Sequence, residues 1–239
     1  MPHNSRHQVY AWCLFCVRTH MENKRKRSFS LFCAHIVVTL QFISRIMDTQ
    51  QQFKQAMAGC RDIFCKKLHD YGAAWRILRP SSVTDQIFIK ANRIRSLETK
   101  GISWVGEGIY PEFQAIVNYG IVGLIQLELG YAETEDMDAE HAMEYYDKYA
   151  QTALELMLRK NHDYDEAWRS MRISSYTDLI LMKLNRTKQI EGNDGQTLIS
   201  EGIDANYLDM INYSVFGLIK LAEHSESATS LIEKDDAAN

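Results

Sequence analysis

The apolar residues of this chain recur at the spacing of helices rather than of strands. Between about residues 48 and 70, apolar side chains fall at Phe53, Met57, Cys60, Ile63 and Phe64, the spacing of one helical face. Comparable spacing returns between about residues 139 and 163. No alternating segment of strand length, flanked by turn residues, competes with these helices. The pattern therefore predicts an all-α protein.

The chain also repeats its own phrases. "KLHDYGAAW" begins at residue 67 and "KNHDYDEAW" at residue 160, an offset of 93, and "SVTDQIFIKANRI" matches "SYTDLILMKLNRT" at the same offset. "EGIYPEFQAIVNYGIVGLIQL" matches "EGIDANYLDMINYSVFGLIKL" at an offset of 94. Chance does not produce matches of this length in the same order. The chain is therefore interpreted as a tandem duplication.

Each repeat is predicted to contain three helices. The second helix is announced by the phrases "SVTD" and "SYTD", which have the form of a capping box, and the third ends at Gly130 in the first copy. Neither repeat can bury its apolar stripe alone. We therefore expect one bundle-like domain, packed about a pseudo-twofold axis, in which helices one and three of each repeat face the other repeat. The predicted division is repeat 1 at 47–130, a linker at 131–137, repeat 2 at 138–224 and a C-terminal tail at 225–239.

The charge of the chain is unevenly distributed. Of a net charge of −4, residues 1–46 contribute +6 from seven Lys or Arg and one Glu, which leaves −10 for residues 47–239. An acidic body is a poor match for a nucleic-acid polymer, so no such partner is expected. Residues 1–46 have no counterpart in either repeat, and their apolar stretch is too short to span a membrane. We interpret them as an extension, poorly ordered or not native, with Met47 as the natural start.

Cysteine usage points to a reducing compartment. Cys60 and Cys65 align with apolar residues of repeat 2 and are predicted to be reduced core residues. This favours a cytoplasmic protein, and we expect it to be a monomer or a homodimer.

The repeated motifs "DYGAAW", "DQIFIKANRI" and "VNYG" resemble the nucleotide-modification-associated domain type 1 family over about residues 47–222. The resemblance implies a role in nucleotide metabolism and a nucleotide as the small-molecule partner, without naming a reaction. A weaker likeness is to the all-α nucleoside triphosphate pyrophosphohydrolases (MazG and the dimeric dUTPases), which hold magnesium with acidic pairs on neighbouring helices. Taken together, the two resemblances imply Mg²⁺-dependent hydrolysis of a nucleotide, linked to the synthesis of modified nucleotides.

Acidic spacing in repeat 2 is consistent with a magnesium site. Asp163 and Glu166 are three residues apart, as are Asp209 and Asn212, so on a helix each pair shares a face. Together with Glu201 they would supply the hard oxygen ligands that Mg²⁺ prefers. The predicted metal ligands are Asp163, Glu166, Glu201 and Asp209, of which Glu166 and Glu201 are also the predicted catalytic carboxylates.

Basic and aromatic residues complete the predicted site. Lys183 and Arg186, three residues apart, would neutralise phosphate oxygens opposite the metal, and Trp168 or Tyr164 would stack on a base. The predicted substrate-binding residues are Lys183, Arg186, Trp168, Tyr164, Asn212 and Asp70. Asp70 is included because an aspartate at this helix end, unfavourable against the helix dipole, occurs in both copies. An ion pair with Lys67 is the alternative role.

The two copies differ in acidity, which places the predicted site in repeat 2. Where repeat 2 has Glu166, Asp204 and Asp209, repeat 1 has Ala73, Tyr110 and Ala115. Repeat 1 keeps Asp70, Glu107 and Asn118, so a composite site built from both copies stays open. The other class of function is a non-catalytic helical protein that binds a nucleotide or a partner. In that case the carboxylates form ion pairs, Asp85 and Asp178 cap helices, and both tryptophans of the repeated phrase belong to the core.

Overall fold

The computed structural model describes the backbone of residues 26–101, 108–199 and 201–237, and the side chains of residues 49–101, 108–199 and 201–225. Contacts divide the chain into two units, residues 1–47 and 48–239, and the packing described below is that of the second unit. Of the predicted N-terminal extension, residues 1–25 lie outside the described residues, and residues 26–46 are helical. Within the described part of the chain, no helix is long and apolar enough to cross a membrane.

The described residues are helical and contain no strand, which confirms the all-α prediction. Two four-residue 3-10 helices, Ala74–Ile77 and Ala167–Ser170, occupy equivalent places in the two repeats. The α-helices are α1 (Lys26–Tyr71), α2 (Pro80–Lys100), α3 (Tyr110–Leu129), α4 (Ala139–Tyr164), α5 (Ile173–Glu191) and α6 (Ile203–Ala237). In repeat 1 the three predicted helices are the C-terminal part of α1 with α2 and α3, and in repeat 2 they are α4, α5 and α6.

The second helix of each repeat begins earlier than the capping boxes predicted. α2 begins at Pro80 and α5 at Ile173, and in neither helix does a side chain cap the first turn. Proline fits the first helical position because its fixed φ is already helical and its missing N–H has no helical partner. Ser82 and Ser175 therefore lie inside the helices, and the capping-box prediction was wrong. The predicted end of the third helix is confirmed, since α3 ends at Leu129 and Gly130 follows with a φ of 75°.

The aspartates assigned to those caps form reciprocal ion pairs between the repeats instead. Asp85 of α2 lies 2.7 Å from Lys188 of α5, and Asp178 of α5 lies 2.5 Å from Arg95 of α2. Each residue of one pair is the counterpart, at the offset of 93, of a residue in the other. Such an exchange requires a pseudo-twofold axis between α2 and α5.

Two threonines repeat this exchange closer to the core. Thr84 donates a hydrogen bond of 2.6 Å to Glu191, and Thr177 donates one of 3.1 Å to Glu98. Partial burial raises the pKa of both carboxyl groups, although each threonine hydroxyl opposes that shift. Helix two of each repeat thus packs against its counterpart, a pairing that the sequence did not predict.

The third helices approach each other closely through glycines. A Cβ built at Gly123 of α3 would lie 2.7 Å from Cζ of Tyr207 on α6, and one at Gly217 of α6 would lie 3.0 Å from Cζ of Phe113 on α3. Gly123 and Gly217 are counterparts at the offset of 94, as are Phe113 and Tyr207. Each helix therefore seats an aromatic ring on the glycine of the other. This contact lies at the centre of the pseudo-symmetric core.

The first helices also meet across the repeats, as predicted. Phe64 of α1 and Tyr146 of α4 pack with ring centroids 4.6 Å apart, and Arg61 pairs with Asp147 at 2.7 Å. Cys60 is buried here, and burial raises the pKa of its thiol to about 12. Cys65 is exposed, so the prediction that both cysteines belong to the core was wrong for Cys65.

We expect Gly123→Ala to destabilise the protein, because the new methyl group must displace the ring of Tyr207. Overpacking of this kind costs about 1–3 kcal/mol, which exceeds the gain of about 1 kcal/mol from replacing a helical glycine. Urea denaturation followed by circular dichroism measures the free energy of unfolding. Gly59→Ala is the matched control, since its Cβ would meet only the amide of Gln114 at 3.4 Å. Equal stability of the two variants would contradict the close approach.

Candidate functional site

Four of the predicted site residues lie at the surface. Asp163 has 73% of its side-chain surface exposed, and its carboxylate lies 3.1 Å from Nδ1 of the neighbouring His162 ring, its one polar partner among the described residues. Asp70 is similarly exposed beside His69, and Tyr164 and Glu201 are exposed as well. The alternative ion pair between Asp70 and Lys67 is not formed. The structure thus leaves these side chains in solvent.

Asp209 and Lys183 are brought together in the interior. Lys183 Nζ lies 2.5 Å from Asp209 Oδ2, and both side chains are buried. Lys160 of α4 binds the other carboxylate oxygen. A buried carboxylate needs such partners, because desolvation of an unpaired charge is strongly unfavourable. Asp209 is therefore an ion-pair partner of two lysines.

Glu166 is buried in a different set of contacts. Its Oε2 accepts a hydrogen bond of 2.8 Å from Arg169 Nε, and its Oε1 accepts one from Thr49 of α1. Its backbone has a φ of 55°, a left-handed conformation that a residue with a side chain adopts only when its surroundings hold it. Arg169 also binds Gln52 at 2.7 Å. Glu166 thus connects the turn after α4 to α1 through its hydrogen bond with Thr49.

The predicted magnesium ligands do not assemble. Within residues 49–101, 108–199 and 201–225, no group of three or more His, Cys, Asp or Glu side chains is arranged to hold a metal ion. All four predicted ligands lie within these ranges. Two are exposed, and two are neutralised by basic side chains. Glu107, part of the alternative composite site, lies outside the described residues. Binding of Mg²⁺ stays a prediction.

Trp168 and Arg186 are two further residues of repeat 2 in the predicted site. Trp168 is buried and stacks on Phe216, with centroids 4.3 Å apart and an interplanar angle of 6°. The guanidinium of Arg169 lies 4.4 Å from the Trp168 ring centroid. Arg186 is half-buried and forms no ion pair with any described residue. The Trp168 ring is thus already covered by the protein's own side chains.

Asn212 is buried with neither end of its amide hydrogen-bonded to a described protein atom. Its counterpart Asn118 has both partners, since it accepts a hydrogen bond of 2.9 Å from the Tyr146 hydroxyl and donates one of 3.1 Å to the Cys60 carbonyl. The counterpart of Tyr146 is Phe53, which has no hydroxyl. The missing donor explains the unpaired carbonyl oxygen of Asn212.

An open cavity lies in repeat 1, opposite to the prediction from acidity. It has a volume of about 470 Å³ and is bounded by α1, α2, α3 and the first 3-10 helix. Its wall is largely apolar and aromatic, and a few polar groups converge on it. Its apolar and aromatic lining includes Phe64, Tyr71, Trp75, Ala115, Tyr119 and Val122, and its polar lining includes Lys67, Lys90, Glu112 and Asn118.

Glu112 is the buried carboxylate of this cavity. It accepts a hydrogen bond from Arg93, and its Oε2 lies 3.3 Å from Lys90 Nζ. Lys67, by contrast, is exposed at the cavity and forms no ion pair with any described residue. The cavity therefore carries one lysine that shares a carboxylate and a second lysine without one.

Sequence reasoning missed Glu112. The offset of 94 pairs Glu112 with Asn206 and Ala115 with Asp209. The acid is thus not missing from repeat 1 but lies one helical turn earlier. Comparing the copies in both directions, rather than listing only the acids of repeat 2, would have shown this.

The fold and the cavity define an all-α protein of two tandem helical repeats, in which repeat 1 borders an open cavity and the equivalent tryptophan of repeat 2 is covered by other side chains. The chain belongs to the family described as Nucleotide modification associated domain 1, whose model matches twice, at residues 67–127 and 160–221. The two matches cover just over half of the chain, and the resemblance predicted from the repeated motifs is confirmed. No curated protein and no solved structure gives a significant match.

We expect Asp209→Asn to destabilise the protein by about 3 kcal/mol, because it leaves Lys183 buried without a countercharge. A metal ligand would behave in the opposite way, since removing a charge from clustered carboxylates relieves repulsion. Urea denaturation measures the change in unfolding free energy. Asp163→Asn, at an exposed position, is the control and should have no effect. The opposite result would support the predicted metal site. In that case the stability of Asp209→Asn is unchanged or increased, and calorimetry shows that Mg²⁺ binding by the wild-type protein is lost in the variant.

We expect Phe53→Tyr to stabilise the protein by about 1 kcal/mol, because its hydroxyl would donate to the unpaired oxygen of Asn212. Tyr146→Phe removes the equivalent hydrogen bond to Asn118 and should destabilise by a similar amount or more. Melting temperature and urea denaturation measure both changes. A loss of stability in Phe53→Tyr would mean that the added hydroxyl finds no acceptor, contrary to the pseudo-symmetry.

Proposed function

We propose that the protein binds a nucleotide in the cavity of repeat 1, as a nucleotide-binding protein that serves nucleotide modification. The observation that carries this proposal is that one cavity of about 470 Å³ joins an aromatic wall to two lysines. Largely apolar cavities with a few convergent polar groups are the usual form of small-molecule sites. The family to which the chain belongs supports a nucleotide as the ligand.

The aromatic wall suits a nucleobase. Trp75 packs against Phe64, with ring centroids 6.1 Å apart, which restricts its orientation before a ligand enters. Base–aromatic stacking contributes about 1–3 kcal/mol for each base. Tyr71 also lines the cavity, and desolvation raises the pKa of its hydroxyl above the usual value, which itself lies well above neutral pH. Tyr71 can therefore both donate and accept a hydrogen bond at the cavity.

The lysines suit a phosphate. Lys67 has no carboxylate partner among the described residues, and Lys90 shares Glu112 with Arg93. A phosphate bound here would form charge-assisted hydrogen bonds, which are about twice as strong as neutral ones. The net charge of −10 over residues 47–239 favours a small nucleotide over a polymer. Free thiols at Cys60 and Cys65 are in keeping with a cytoplasmic location.

Hydrolysis with Mg²⁺ is the finer prediction from the sequence, and binding without turnover is its alternative. The ion pairs of Asp209 and Glu166 support the alternative, because each of these carboxylates already has cationic partners. We therefore propose binding, and analysis of the products decides whether the nucleotide is also hydrolysed.

Isothermal titration of the full chain with nucleoside mono-, di- and triphosphates, with and without Mg²⁺, tests the proposal. We expect at least one nucleotide to bind with a stoichiometry of about one, since the equivalent tryptophan of repeat 2, Trp168, is covered by Phe216. Lys67→Gln should weaken that binding about tenfold, the effect of losing about 1.4 kcal/mol. The matched control is Lys66→Gln, a neighbouring exposed lysine that pairs with Asp62 at 2.6 Å and does not line the cavity.

Product analysis in the same samples separates the two classes of function. Mg²⁺-dependent release of phosphate or pyrophosphate would establish the hydrolase, whereas binding with no product would establish the non-catalytic protein. The proposal is wrong if no nucleotide of the panel binds, or if Lys66→Gln and Lys67→Gln weaken binding equally.

A further inference from the structure

Repeat 2 fills its own counterpart of the cavity with an aromatic ring. Phe216 stacks on Trp168 with centroids 4.3 Å apart and nearly parallel planes, 6° from each other. In repeat 1 the counterpart of Trp168 is Trp75, and the counterpart of Phe216 is Val122. Both Trp75 and Val122 line the open cavity. Valine is smaller than phenylalanine and carries no ring that could stack on Trp75.

Repeat 2 also fills its counterpart with an anion. The carboxylate of Asp209 is bound by Lys160 and by Lys183, the latter at 2.5 Å. The counterparts of these lysines are Lys67 and Lys90, and the counterpart of Asp209 is Ala115. All three residues line the cavity of repeat 1. Repeat 1 therefore has both lysines but no carboxylate at the position of Asp209, since its own acid, Glu112, lies one helical turn earlier beside Lys90.

Phe216 and Asp209 of repeat 2 are replaced by Val122 and Ala115 in repeat 1. The two side chains that repeat 1 lacks are an aromatic ring and an anion, and a nucleotide supplies both. From this we infer that repeat 2 is a filled copy of the binding site, in which Phe216 and Asp209 stand where the base and the phosphate of the ligand lie in repeat 1. The inference rests on the proposed function and specifies its ligand. The base stacks on Trp75, one phosphate lies between Lys67 and Lys90, and the ligand is a nucleoside monophosphate.

The charge balance of the cavity selects one phosphate rather than three. Glu112 is buried at the cavity wall and lies 3.3 Å from Lys90, so Lys67 is the lysine with an uncompensated charge. A single phosphate takes the place of a single carboxylate. Each further phosphate brings additional negative charge near Glu112, and like charges at short range repel strongly in a partly desolvated site.

Two variants, each compared with a matched control, test the inference. Calorimetry measures their binding of one nucleoside, its monophosphate and its triphosphate. Ala115→Asp places the anion of repeat 2 in the cavity, whereas Ala115→Asn adds nearly the same volume without charge. Val122→Phe places the ring of repeat 2 in the cavity, whereas Val122→Leu adds an apolar group that cannot stack.

We expect the wild-type chain to bind the monophosphate more tightly than the triphosphate. Ala115→Asp should weaken monophosphate binding at least about tenfold more than Ala115→Asn, and it should change nucleoside binding little. Val122→Phe should abolish binding of both the nucleoside and the monophosphate, and Val122→Leu should retain it. Because both changes copy residues that repeat 2 already accommodates, melting temperatures should hold or rise.

The outcomes distinguish this inference from the proposed function. If nucleotides bind but the triphosphate binds more tightly, or if Ala115→Asp and Ala115→Asn behave alike, the inference is wrong and nucleotide binding stands. If no nucleotide binds, both are wrong. Should either core variant fail to fold, the exposed Lys67→Gln gives the same answer. It must weaken binding of the monophosphate and leave binding of the nucleoside unchanged, and an equal loss for both ligands would overturn the inference.

Discussion

The close approach of α3 and α6 is the contact on which the rest of the structure depends. Gly123 and Gly217 leave room for the rings of Tyr207 and Phe113, so each repeat inserts an aromatic side chain into the other. With the third helices in this position, α2 packs against α5 and α1 against α4. The apolar stripe of each repeat is covered by its counterpart, and a shared core replaces two small ones that would bury too little surface to be stable.

The polar features follow from the need to compensate buried charge on each side of this core. Both repeats have the same two lysines, but their carboxylates differ in position. In repeat 2 the carboxylate of Asp209 binds both Lys160 and Lys183. In repeat 1 the carboxylate lies one helical turn earlier, at Glu112, where it pairs with Lys90 and Arg93 and not with Lys67. One displaced acid therefore separates a closed interior from an open cavity.

The sequence predicted the helices, the duplication and the pseudo-twofold packing, because apolar spacing and repeated phrases report directly on these features. It did not predict the pairing of α2 with α5. That pairing depends on Asp85, Asp178 and two threonines, whose side chains have equally plausible roles inside their own helices. A repeated phrase shows that a residue was kept, but it does not show which neighbour the residue contacts.

The predicted site shows a similar limit. A spacing of three residues placed Asp209 and Asn212 on one face of α6. That spacing carries no information about burial or about basic side chains on other helices. Lys160 and Lys183 lie 49 and 26 residues from Asp209 along the chain, and only tertiary packing brings them to it. Because the acidic residues are more numerous in repeat 2, the site was predicted there, whereas the cavity lies in repeat 1. A cavity depends instead on small side chains, and Ala115 and Val122 give no signal unless each is compared with its counterpart.

The fusion of the two repeats into one chain has an evolutionary consequence. In a symmetric dimer of identical subunits, every substitution appears twice, so a change that opens one cavity also opens the other and removes stabilising contacts from both. In a single chain the two copies are inherited as separate stretches of sequence. Repeat 2 can have Phe216 and Asp209, which contact other side chains of the core, while repeat 1 accepts the smaller residues Val122 and Ala115, which line the cavity. Duplication thus allows packing and an open cavity to be selected independently at positions that began as the same residue.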